Sequence, residues 1–306
     1  MIVKKGHEGI SIIICSRQAV IAKELESNLS NTVGIPHEII TIDNSGNNFS
    51  IFEAYNKGLA DSVYPLVAFL HDDILIHTSN WGSIIFEYFN NKKNLGLLGI
   101  AGSSQKSSVP SAWWDHPIDK RFTSLIQHYP NGTIKKISKG YQKEKSYQEV
   151  IVIDGVFMVL RKSTNVIFDK ALGGFHNYDQ NISLEVRKKK YEVGVTNRIL
   201  IEHFSLGKID SSWIDSAIHL SKKYKSCLPQ SIHRYYSSDK SYSLQRFVEN
   251  CNLNKRYFIG FKFWLKHFYL KPLSRFNYST GNYYLSEIKK YLKNKIRSNF
   301  SNMNKK

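Results

Sequence analysis

The tripeptide His71-Asp72-Asp73 stands at the end of the apolar run Leu66–Leu70 (LVAFL). Adjacent carboxylates at the carboxyl end of a strand suit a hard divalent cation such as Mn²⁺ or Mg²⁺, which takes one or two carboxylates together with phosphate oxygens. Such an ion neutralises the charge that develops on a departing diphosphate. The same tripeptide also fits a solvated acidic turn. Other positions carry comparable alternatives. Asp43 can accept hydrogen bonds from a base or ribose, or form the turn in Asp43-Asn44-Ser45-Gly46. Arg17 can pair with phosphate, hold Asp43, or serve as a surface cation. Trp113-Trp114 offers a flat face for a sugar ring, or packs under a long loop.

These residues need elements to place them. The runs 10–15 (ISIIIC), 38–42 (EIITI), 66–70 and 97–101 (LLGIA) predict four buried strands. Three helices are expected between them. One covers 18–29. A second opens at Ser50 with Glu53 at capping-box spacing, followed by Ile51, Tyr55 and Leu59. The third carries the stripe Trp81, Ile84, Ile85, Tyr88 and Phe89. This alternation predicts an α/β fold, an open and mostly parallel sheet with helices on both faces. Ligands bind such sheets at the carboxyl ends of the strands. Ser16, Arg17, Asp43, Asn44, His71 to Asp73 and residues 102–105 therefore belong to one edge.

Residues 103–149 are polar and irregular, with a hairpin expected at Asn131-Gly132. Residues 150–161 predict two strands broken at Asp154-Gly155. Helices are expected over 177–190 and through Trp213, Ala217, Leu220 and Tyr224.

The chain has 306 residues and a net charge of +18, of which +13 falls in residues 231–306, with 16 Lys and Arg against 3 Asp and Glu. The expected division is a domain over 1–229 and a basic, aromatic, mainly helical extension over 230–306. In the extension Tyr257, Phe261, Trp264, Leu265 and Phe268 share a helical face. That face either packs on the first domain or lies on an anionic membrane. Cys15, Cys227 and Cys251 form no CxxC pair, so a reducing compartment fits. Lys4 and Lys5 precede an apolar run too short for a secretory signal.

Several motifs, taken together, resemble a known family. SIIICSR, EIITIDNSGN, EAYNKGL and VAFLHDDILI are similar to the opening of family-two-like inverting glycosyltransferases with a GT-A fold. VIDGVFMVLRKS, FDKALGGFHNYDQNISLEVRKKKYEVGV and IEHFSLGKIDSSW resemble later motifs of a bacterial branch of that group. The resemblance spans roughly residues 8–225. It implies that Asp43, Asn44, Ser16 and Arg17 contact the nucleotide. Position 71 departs from the family's D-x-D pattern, in which an acid stands where this chain has His71. Asp73 then matches the metal-binding acid, while His71 and Asp72 fall among the residues that contact the nucleotide sugar. His203 matches a histidine that completes the metal site, although a histidine on a short apolar strand also fits the core. Asp154-Gly155 matches the wall of the donor-sugar and acceptor pocket. Asp179 matches the catalytic base, although an aspartate there also caps a helix. His176, three residues earlier, falls on the acceptor side with Trp113 and Trp114.

The resemblance implies an inverting transferase moving a sugar from a nucleotide donor, UDP-type, to a glycan or lipid-linked acceptor in bacterial surface polysaccharide synthesis. It also implies a cytoplasmic enzyme, peripheral on the membrane if residues 231–306 bind it. Two other activities fit parts of the sequence. A nucleotidyltransferase would share the sheet and the acids, but Ser16-Arg17-Gln18-Ala19 has no glycine for a phosphate loop. A nucleic-acid-binding protein would use the basic aromatic tail, yet the acids lie in the first domain and nucleic acid is not expected. A catalytically inactive binding module is the remaining alternative.

Overall fold

The computed structural model describes residues 8–303 apart from 143 and 208, with side chains as far as 294. Lys4 and Lys5 lie outside the described residues. The chain forms two compact units, Met1–Tyr235 and Tyr236–Lys306.

The first unit runs β1 (Ile10–Ser16), α1 (Lys23–Thr32), β2 (His37–Asp43), α2 (Ile51–Asp61), β3 (Leu66–Leu70), β4 (Ile74–Ile76), α3 (Trp81–Asn91) and β5 (Leu95–Gly99). It continues through β6 (Ala101–Ser103), β7 (Gln105–Lys106), β8 (Arg121–His128), β9 (Ile134–Lys139), β10 (Tyr147–Val150), β11 (Val152–Ile153) and β12 (Phe157–Arg161). It closes with α4 (Tyr178–Lys188), β13 (Glu192–Thr196), β14 (Ile201–His203), α5 (Ser211–Lys223) and β15 (Gln230–Ser231).

The main sheet has the order β10-β13-β5-β12-β3-β1-β2. Its centre is apolar on both faces: all five residues of β3 are buried, as are all five of β5. Burying side chains of this size contributes roughly 1.5–3 kcal/mol each, so the sheet is the stable frame of the unit. Strands β2, β1, β3, β5 and β13 run in one direction. The expected sheet is thus present, but it is only partly parallel. β12 is inserted antiparallel between β3 and β5, and β10 runs antiparallel at the edge. β12 enters the sheet from the Asp154-Gly155 break, so that break delivers residues to the same edge as the carboxyl end of β3.

A second sheet, β11-β6-β8-β14-β4 with β9 paired to β8, gathers the region that looked irregular. The expected strand 97–101 is split. β5 stops at Gly99, and Ala101 begins β6 in the other sheet. The expected helix 18–29 begins only at Lys23. Ser16 Oγ accepts the Gln18 N–H at 3.1 Å, and the Arg17 N–H is bound to Asp72 at 2.9 Å, which holds the first residues as a loop. Ser50 and Glu53 do form a reciprocal capping box at the start of α2. Residues after Pro229 return as β15 to pair with β7, so they belong to the first unit.

The second unit comprises α6 (Ser237–Leu253), α7 (Tyr257–Leu270) and α8 (Arg275–Met303). Buried His267 ties it together, with Nε2 2.9 Å from Ser241 Oγ on α6 and Nδ1 2.7 Å from Asn277 Oδ1 on α8. No helix among the described residues is long and apolar enough to cross a membrane.

Candidate active site

A cleft of about 760 Å³ opens at the carboxyl ends of β1 and β3. Ser16, Arg17, Asn44, His71, Asp72, Asp73, Asp154, Gly155, Asp179 and His203 line it, together with Trp113, Trp114 and His176. Asp43 does not. Its exposed carboxylate accepts from Ser45 N at 2.9 Å and Ser45 Oγ at 2.7 Å, which makes the local turn. Neighbouring Asn44 is buried and clamps Phe49 through both backbone groups.

Strand register assembles the metal-type ligands. β14 runs antiparallel to β4 with His203 opposite Ile74, and so sets His203 against Asp73. The ligand atoms of His71, Asp73 and His203 all lie within 4.8 Å of one another. His203 Nε2 is 3.5 Å from Asp73 Oδ1 and 3.4 Å from His71 Nδ1. The outward nitrogens are engaged elsewhere. His203 Nδ1 lies 3.2 Å from Gln127 Oε1, and His71 Nε2 lies 2.6 Å from the Tyr178 hydroxyl. Gln127 spends its amide N–H groups on the carbonyls of His203 and Ser205, so its oxygen must accept. The proton of His203 therefore sits on Nδ1, and the Nε2 lone pair faces the cleft.

Asp73 Oδ1 is buried with no hydrogen-bond partner. An unpaired carboxylate oxygen beside imidazole lone pairs is costly unless a cation sits among them. The three residues thus fit a divalent ion. Electrostatics agree. Loss of solvation and then His203 push the His71 imidazole below its usual range, which keeps it neutral.

Arg17 pairs with the acids and not with Asp43. Its guanidinium is 2.6 Å from Asp72 Oδ1 and 3.1 Å from Asp73 Oδ2, while 69% of its side chain stays exposed. It is a largely exposed cation anchored at the cleft mouth by two carboxylates, suited to an anionic ligand.

Across the cleft, Asp179 occupies the first turn of α4. Burial, and next the nearby Asp154, raise its carboxyl to about 7. Asp154 is held by Trp113 Nε1 at 2.5 Å and by Val156 N at 2.7 Å. Two carboxylates in one cleft, one raised and one anchored, form the usual arrangement of a neutral-pH acid–base group.

Residues 11–228 match the family model described as a glycosyltransferase-like family. The chain belongs to that family. It is a glycosyltransferase, and its first unit is the GT-A-type α/β sheet expected from the sequence. No curated protein matches the sequence. Among solved structures it is similar to GalNAc-T7 with UDP, GalNAc and Mn²⁺, at TM-score 0.49 and 7% identity, over 86% of this chain and 55% of that one. It is also similar to S. aureus TarS 1-349 in complex with UDP-GlcNAc, at TM-score 0.41 and 10% identity, over 79% of this chain and 66% of that one. The glycosyltransferase thus spans less than two thirds of the length of either.

The remaining candidates in the glycosyltransferase cleft are placed as follows. Trp113 is 8% exposed, stacked edge-on against Trp114 at 5.5 Å, and spends its indole N–H on Asp154. It supports the carboxylate from within the core. His176 Nε2 lies 3.1 Å from Ser212 Oγ, which fixes it at the start of α5. Gly155 leaves room for Tyr178, since a Cβ there would come within 2.2 Å of the phenol oxygen. Tyr178, Gln127 and Lys106 were not singled out from sequence. Lys106 is fully buried, donates to Ser111 O at 2.6 Å, and is pushed down to about 7 by burial.

Proposed function

We propose that this enzyme moves a sugar, with inversion, from a UDP-type donor to a hydroxyl of a glycan or lipid-linked acceptor on the cytoplasmic side, in assembly of a bacterial surface polysaccharide. One observation carries this reading: a single cleft joins the His71-Asp73-His203 cluster to Asp179, a carboxyl that titrates near neutrality. Two roles divide between them. Arg17, with the Ser16 backbone, receives the donor diphosphate. Asp179 accepts the proton of the acceptor hydroxyl as its oxygen bonds to the anomeric carbon and the bond to the diphosphate breaks. Asp154, pinned by Trp113, keeps Asp179 basic and orients it. A single base is enough for direct displacement, whereas a retaining route would need a nucleophilic carboxylate.

His71, Asp73 and His203 would hold the divalent ion, and two nitrogen donors favour Mn²⁺ over oxygen-seeking Mg²⁺. Such an ion supplies charge neutralisation to the leaving diphosphate. The test is a panel of nucleotide sugars incubated with the full chain, with Mn²⁺ or with EDTA, reading nucleoside diphosphate release. Release from one UDP-sugar, dependent on Mn²⁺ and on Asp179, supports the reading. If no nucleotide sugar is consumed or bound in either condition, the reading fails.

A further inference from the structure

The second unit turns aromatic surface outward. On α7, Phe261, Trp264 and Phe268 follow one another at helical spacing, with ring centroids 5.4 and 5.8 Å apart. Trp264 lies over Gly281 of α8, where a Cβ would be 3.4 Å from its ring. Tyr278 and Leu285 stand three residues before and four after Gly281, so they share its side of the helix. The two stripes therefore adjoin at the Trp264–Gly281 contact. Leu273, in the turn joining α7 to α8, is fully exposed, and Tyr278 is 77% exposed. An apolar surface of this kind is rare on a chain that stays in water.

Two exposed cations, Lys271 and Arg275, flank the patch at either side of the turn. Lys262 and Lys266 lie on the opposite side of α7, their ammonium groups 4.3 Å from the Phe258 and Phe263 rings, and Phe263 packs on Phe247 of α6. Apolar rings surrounded by a strong positive excess match the two layers of an anionic bilayer surface: acyl chains below, lipid phosphates around. Since no described helix can span, the fit is interfacial.

We infer that the α7–α8 hairpin docks on an anionic lipid bilayer, with Leu273 and the Phe261–Trp264–Phe268 stripe entering the headgroup layer. The test is flotation of the full chain with phosphatidylglycerol–phosphatidylcholine vesicles and with pure phosphatidylcholine vesicles. Binding should favour the anionic vesicles by about tenfold or more and fall in high salt. The triple variant Leu273→Ser, Tyr278→Ser, Leu285→Ser should lose about tenfold in vesicle binding while melting like the wild type. A variant with Lys271→Glu and Arg275→Glu, both exposed at the turn, should show the same loss. The inference is overturned if the wild type ignores anionic vesicles at low salt, or if both variants bind unchanged. It is equally overturned if the patch instead drives self-association, or retention by a single-stranded oligonucleotide, without vesicle binding.

Discussion

Trp113 donates its indole N–H to Asp154 Oδ2 at 2.5 Å, and through that bond a loop of the irregular region reaches the carboxylate beside Asp179. Asp154 in turn raises the Asp179 carboxyl. Asp154→Asn keeps the shape and a hydrogen-bond acceptor for Trp113 but removes the charge. The acidic limb of the pH–rate profile, expected near 7 for the wild type, should therefore move down in this variant. A profile that does not move would show that Asp154 has no electrostatic hold on Asp179.

Asp179→Asn removes the proton acceptor and keeps the side chain's size. Transfer should fall roughly 10²–10⁴-fold while donor binding persists, as read by steady-state kinetics and by donor-induced melting shifts. Near-normal transfer would leave Asp179 as a helix-terminal residue only.

The same carboxyl makes a stability statement. Folded, it holds its proton up to about pH 7, whereas an unfolded aspartate releases it near pH ~3.9. Its contribution is present below the unfolded value and is lost as pH rises through the folded one. Asp179→Asn should therefore melt like the wild type near pH 4 and progressively above it toward pH 7 and beyond. A melting difference that does not grow over that interval would contradict the assignment.

Much of this was legible in the sequence, and the rest was not for definable reasons. Runs such as 66–70 are buried on both faces, so their composition alone marks them as strands. The antiparallel direction of β12 carries no such mark, because strand direction is fixed by the path between strands. Asp73 and His203 were singled out through motif order, yet His71 was placed with the nucleotide because an acid was expected there. Only the register of β14 on β4, and the 3.4 Å approach of the two rings, joins it to them. Gln127 had no signal at all: it stands 76 residues from His203 and meets it through parallel pairing of β8 with β14.

Gln127 offers a test of that pairing. Gln127→Leu leaves the ligands in place but removes the acceptor that fixes the His203 tautomer. Mn²⁺ affinity, measured by calorimetry or by metal-induced melting shifts, should weaken roughly 10–100-fold. His71→Ala, Asp73→Asn and His203→Ala should each abolish the metal response. If Mn²⁺ stabilises these three variants as it does the wild type, the cluster is not the metal site.

Gly155 and Tyr178 connect the two halves of the cleft. The phenol reaches His71 Nε2 at 2.6 Å only because position 155 lacks a side chain, and a Cβ would lie 2.2 Å from the phenol oxygen. Gly155→Ala must displace backbone or ring, since Tyr178 is buried against α2 through Tyr55, 5.6 Å away. Overpacking of this kind costs roughly 1–3 kcal/mol, readable in denaturant unfolding. Tyr178→Phe removes only the hydroxyl and keeps the ring in its cavity. It should unfold close to the wild type yet bind Mn²⁺ more weakly, because His71 loses the partner that sets its ring. Gly155→Ala should show both defects. Should Gly155→Ala lose stability but keep full metal affinity, Tyr178 would be a packing residue with no part in orienting His71.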